Sequence, residues 1–165
     1  TTFCLGTRRL YDWLEDNAVV EVLGVDFVND PRVIARMSRF NSVNATTEVD
    51  LMGQCASETI GGRYWSSSGG QADFARGAMY ADEGQAFIVT PSLTRDGRSR
   101  IVPSLASGSV VTTLKNTVDH VVTEHGVAEL RGKALSDRAR ALIAVADPSV
   151  RDNLTRDART LGLFL

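Results

Sequence analysis

The sequence predicts an α/β domain, with a largely parallel or mixed sheet flanked by helices and a helical C-terminal third. Three observations carry that expectation. Short β-branched or continuous apolar runs, such as Val19–Leu23 and Ala86–Val89, alternate with segments of helical periodicity. Glycine-rich turns separate them at Gly53, Gly61-Gly62 and Gly69-Gly70. From Ser136 onward the apolar spacing is helical throughout, as expected of an α/β unit closed by helices.

Taken in order, Phe3–Leu5 reads as a short strand, and Thr7 as the cap of a helix with Leu10, Trp13 and Leu14 on one stripe. Val19–Leu23 reads as a second strand. A loop, 26–30, leads to Pro31, which suits a first helical turn, so Asp30 is expected to cap a helix running to about Met37. Residues 41–52 hold one or two strands. A helix is expected from about Gln71 to Tyr80, because Phe74, Ala75, Ala78 and Met79 share one side. Ala86–Val89 has the character of a buried strand. The segment 94–100 is an exposed basic loop, and Ile101-Val102, Val110-Val111 and His120–Thr123 read as strands. Ser136 is expected to cap a helix bearing Ala139, Leu142, Ile143 and Ala146. Asp147-Pro148 opens another, with Val150, Leu154, Ala158 and Leu161 on one face and Gly162 as terminator.

The chain has 165 residues, 43% hydrophobic and 23% charged, with a net charge of −2. That describes one ordinary globular domain spanning residues 1–165, with no linker or repeat. The charge argues against a nucleic-acid partner, and no apolar run reaches the ~20 residues of a membrane helix. Two cysteines, Cys4 and Cys55, form no CxxC and no disulfide framework, which suits a cytoplasmic location. The chain opens without Met inside an apolar run, so the expectation is a piece of a longer protein.

Several motifs fail on inspection. After Val121-Val122, Gly126 and Gly132 imitate a phosphate loop, but five residues separate them where four are needed, and Ala134 stands where Ser or Thr should bind magnesium. His120 and His125 have no neighbouring ligand cluster, so no metal is expected. Ser66-Ser67-Ser68 lacks the GxSxG elbow. Glu48, Glu58, Glu124 and Glu129 fall among the motifs, yet none has a catalytic partner at a telling spacing.

The stretch Ser66–Ala78 is different. Paired glycines before a helix start let a ligand approach free N–H groups at the positive end of the helix dipole. An anion or a developing oxyanion is their natural guest; a bare strand-to-helix turn is the alternative.

Three stretches then fall together: GGQADFARGA from Gly69, RIVP from Arg100, and VTEHGVAELRGK from Val122. With Asn29-Asp30-Pro31 and the run Glu48–Gln54, they make the chain resemble the C-terminal domain of the acetyl-CoA hydrolase/transferase family over essentially its whole length. The resemblance implies a class I CoA-transferase fold, in which acyl-CoA lies between two related α/β domains. It implies acyl-CoA and a small carboxylate as substrates, coenzyme A as the group carried, a missing N-terminal domain as partner, and a homo-oligomer. Acetate- and 4-hydroxybutyrate-using transferases belong to the family, as do acetyl-CoA hydrolases. A glutamate in such enzymes attacks the thioester and becomes a glutamyl-CoA thioester. Its motif has no counterpart here, and Glu124 belongs to a different one. The fragment alone is therefore expected to be inactive. By the same resemblance, Gly70 donates its N–H to the oxyanion and Gly69 permits the approach. Asn29 lies near the acyl or carboxylate group, and Arg95 stands where relatives carry a base near CoA. Ser67-Ser68 departs from the family's more glycine-rich approach to the pair. The alternatives are a hydrolase of the same family or a non-catalytic CoA-binding domain.

Overall fold

The computed structural model describes residues 1–164. Its centre is a four-stranded sheet of β1 (Asn41–Ala45), β6 (Gln85–Val89), β8 (His120–Thr123) and β9 (Gly126–Glu129), in the order β1-β6-β8-β9. The first three are parallel and β9 is antiparallel to β8, so the sheet is mixed. Beside it lies a three-stranded sheet, in the order β3-β2-β7, of β2 (Glu48–Asp50), β3 (Cys55–Ala56) and β7 (Ile101–Val102). A hairpin of β4 (Thr59–Ile60) and β5 (Arg63–Tyr64) completes the strands. Its turn is Gly61-Gly62, with φ of 55° and 76°, the double positive φ that a tight hairpin turn requires.

The helices are α1 (Arg8–Leu14), α2 (Val25–Val28), α3 (Pro31–Ile34), α4 (Gln71–Tyr80), α5 (Leu135–Ala144) and α6 (Arg151–Thr160). One face of the four-stranded sheet carries Ser42, Ala86, Ile88, Val121, Thr123 and Ala128, all buried. On this face α4 packs through Ala75 and Ala78 against Ala86. Farther along the same face, Ala139, Leu142 and Ile143 of α5 and Leu154 and Ala158 of α6 join Ile88 and Val121 in the main core. The Thr123 hydroxyl donates to the Val145 carbonyl at 2.6 Å, fixing the end of β8 beneath α5.

Most expected elements are present, and the departures have physical reasons. Phe3–Leu5 and Val19–Leu23 form no strands. Only Thr1 and residues 21–23 meet, through Thr1 N–H to Glu21 C=O and Leu23 N–H to Thr1 C=O, which is too little pairing for a ladder. The first part of the expected loop 26–30 is helical, since residues 26–28 belong to the short helix α2. Asp30 caps α3 as expected, accepting from Arg32 N–H at 2.8 Å. The α-helix nevertheless ends at Ile34, because Arg36 and Met37 bond three residues back and tighten the last turn. Val110-Val111 is not a strand, since Val110 N–H donates to the Thr59 hydroxyl and not to a neighbouring backbone. Ser136 is not a cap: α5 starts at Leu135, with Ala134 in the cap position. The apparent phosphate loop is the β8–β9 hairpin, which turns through Glu124-His125. Asp147 does cap the final helical segment, accepting from Ser149 N–H at 2.9 Å, and Gly162 ends it with φ of 70°.

Candidate functional site

The βαβ unit β1–α4–β6 places the N-terminus of α4 beside the carboxyl end of β1, where open α/β sheets bind ligands. Helix α3 packs across α4 because Gly77 allows it; a methyl group there would meet Ile34 side-chain carbons at 2.5 Å. That contact holds the α2–α3 junction, and with it Asn29, over the start of α4. The result is an open cleft of about 1120 Å³ lined by Asn29, Asn44, Ser67-Ser68, Gly69-Gly70 and the outer side of α4.

The two glycines are needed for different reasons. Gly69 has φ of 54°, a left-handed conformation that side chains disfavour, and nothing lies within 4 Å of where its Cβ would stand. Gly70 has an ordinary φ of −97°, but a methyl group on it would meet Asn29 Nδ2 at 2.6 Å and the Phe74 ring at 3.0 Å. Phe74 is itself held by stacking on Phe40, with centroids 6.1 Å apart. The ladder of α4 begins with Phe74 N–H donating to Gly70 C=O at 3.0 Å, so the amides before it have no partner within the helix. Buried Gln71 anchors this end by donating to the Thr113 hydroxyl at 3.0 Å.

Charge enters from two sides. Asp30 is bound by the Arg32 guanidinium at 2.6 Å; that side-chain hydrogen bond first, then the Arg32 N–H, holds its carboxyl at about 2 against an ordinary 3.8. Asp73, Arg76 and Tyr80 also line the cleft. These three were missed by sequence reading, although their i, i+3, i+7 spacing is the outer stripe of α4.

Of the residues singled out in sequence, Asn29, Gly69 and Gly70 come together in the cleft. Arg95 does not line it. It sits exposed in the loop between Leu93 and Ser99, which is closed by an isolated bridge and by the Arg98–Asp96 pair at 2.8 Å. None of the four glutamates considered lines the cleft either. Glu124 is engaged by Ser92, whose hydroxyl donates at 2.6 Å and whose N–H donates at 2.8 Å; these bonds hold its carboxyl below the usual range. Glu48 accepts from Ser109 Oγ at 2.6 Å, and Glu58 from Thr112 Oγ1 at 3.0 Å. Cys55 is fully buried, and that burial, then the charge of Asp50, pushes its thiol up, so it is no nucleophile. Among the described residues no group of His, Cys, Asp or Glu is arranged to hold a metal, and no helix is long and apolar enough to cross a membrane.

Fold and cleft define an α/β domain in which the start of a helix and a carboxamide line one cleft. Comparison with known proteins makes the class specific. The profile of the acetyl-CoA hydrolase/transferase C-terminal domain matches residues 6–158, and the chain belongs to that family. It is 50% identical over 98% of its length to the succinyl-CoA:cyclohexane-1-carboxylate CoA transferase of Geobacter metallireducens. It is 49% identical over 94% of its length to the 4-hydroxybutyrate coenzyme A transferase of Clostridium kluyveri. The crystal structure of RipA from Yersinia pestis superposes with a TM-score of 0.92 at 40% identity over 99% of this chain. In all three cases the chain spans 37% of the relative's length.

Proposed function

We propose that this chain is the acyl-CoA-binding C-terminal half of a CoA-transferase that moves CoA between an acyl-CoA and a small carboxylate. The observation that supports this reading most is the meeting of Asn29 with Gly69-Gly70 at the start of α4. In this reading the thioester carbonyl enters the cleft with its oxygen toward the Gly70 N–H. The attacking carboxylate is a glutamate from the portion of the polypeptide outside these residues. Its oxygen adds to the thioester carbon, and the negative charge that forms on the carbonyl oxygen is met by amides already in place. Collapse expels CoA as thiolate and leaves a mixed anhydride. The thiolate then attacks the glutamyl carbonyl, releases the first acid as carboxylate, and gives the glutamyl-CoA thioester. The acceptor carboxylate repeats these two steps in reverse. Asn29 orients the acyl or carboxylate group, and Arg95 meets a phosphate of CoA from the exposed loop.

Gly70→Ala in the complete enzyme tests the assignment. The added methyl collides with Asn29 Nδ2 and occupies the approach to the amide. Loss of one oxyanion donor typically lowers kcat roughly a hundredfold or more. CoA affinity should change far less. Turnover within twofold of the parent would end the oxyanion role of Gly70.

A further inference from the structure

The four-stranded sheet is covered on one face only. Opposite Ser42, Ala86, Ile88, Val121 and Ala128, the alternate positions are Val43, Ala45, Phe87, Val89, His120, Val122 and Val127. Val43 is 68% exposed, Val127 54% and Val89 37%. These side chains adjoin in register: Val43 pairs with Phe87, Ala45 with Val89, Val89 with Val122, and Val122 with Val127. The apolar ones therefore form one continuous surface, bounded at one end by polar Asn41, Gln85, His120 and Glu129, with the His120 ring stacked on Phe87 at 4.8 Å. An antiparallel sheet can leave a face to water, but that face alternates to polar side chains. Here three parallel strands carry apolar side chains on both faces, the pattern of a sheet flanked on both sides. A contiguous exposed apolar surface of this kind marks a docking site.

We infer that this face is the seat of a helical layer supplied by the rest of the longer polypeptide. Two observations select that occupant. The chain accounts for only 37% of the length of the relatives and of the solved neighbour it matches. The other face of the same parallel strands is covered by helices, α4 and α5, and a βαβ sheet is completed by helices on its second face. The inference concerns packing and does not rest on the acyl-transfer chemistry.

The test uses single cysteines in a Cys4→Ser background, with buried Cys55 retained. Val43→Cys and Val127→Cys report the bare face, and Asp152→Cys on exposed α6 is the control. Maleimide labelling is followed in the complete enzyme and in residues 1–165. Positions 43 and 127 should label at least tenfold more slowly in the complete enzyme than in the shorter chain, at a rate independent of protein concentration. Position 152 should label equally in both. Equal labelling of 43 and 127 in both proteins would overturn the inference. So would protection that appears only as concentration rises, since a second copy would then be the cover.

Discussion

The two regions proposed to meet substrate, the start of α4 and the loop that carries Arg95, are built in opposite ways. At the start of α4 the paired glycines and Asn29 meet in one cleft. The loop Thr94–Arg100 carries three arginines but is held largely by its own contacts, with Thr94, Asp96 and Arg98 bonded among themselves. The first region is preorganised by packing from distant elements; the second offers charge on an exposed turn. Preorganised amides can favour a transition state, because their orientation is fixed before reaction. Exposed charge lends binding energy that is more nearly the same for substrate and transition state.

Three substitutions sharpen or break that contrast. The largest effect is expected from Gly77→Ala, which touches no ligand. Its methyl would strike Ile34 and push α3, with Asn29, off the glycine pair. Such overpacking typically costs about 1–3 kcal/mol of stability. A displacement of about 1 Å at a reacting centre can cost on the order of a hundredfold in turnover. Urea unfolding and steady-state kinetics on the complete enzyme report both. Wild-type values would mean that the α3–α4 contact does not position the site.

Next in size is Arg95→Glu, expected to weaken CoA binding by roughly 1.5–3 kcal/mol with little change in kcat. Titration at fixed ionic strength checks it, and unchanged affinity would make the loop merely solvated.

The smallest effect concerns Asp30. Folding lowers its pKa from 3.8 to about 2 through Arg32, so the ionised pair stabilises the fold above 3.8. That contribution is lost as pH falls through about 2. Because Arg32 is largely exposed the effect is modest, and Asp30→Asn should flatten the acid limb of a stability–pH curve. An unaltered acid limb would show that the pair contributes nothing to the fold.

The same contrast governs what could be read from sequence. Gly69-Gly70 was legible because glycine pairs before a helix report backbone geometry, and α4 itself is found at Gln71–Tyr80 as expected. Asn29 was legible only through family resemblance, since its place in the cleft depends on α3 crossing α4. Gly77, the residue that permits the crossing, looked like any glycine within a helical pattern. Asp73, Arg76 and Tyr80 were hidden because an outer helical stripe reads as ordinary surface until a cleft lies beside it. The apolar runs Phe3–Leu5 and Val19–Leu23 were read as strands on propensity, but propensity forms no ladder without a partner. Gly126–Glu129 is illegible as a strand because it is only four residues long and opens on glycine, so its pairing with β8 supplies what propensity does not.

The proposed function divides the labour: these residues would bind and polarise the thioester, and the attacking carboxylate would come from elsewhere in the polypeptide. The most direct measurement incubates residues 1–165 with acetyl-CoA and a carboxylate acceptor, then adds borohydride, which reduces a glutamyl-CoA thioester at the residue that carries it. An oxyanion site lowers the barrier only for an attack that another group makes. The account predicts no transfer, no hydrolysis and no reduced glutamate in the peptide map. Turnover, or reduction at any glutamate between Thr1 and Leu165, would contradict it and place the nucleophile within this domain.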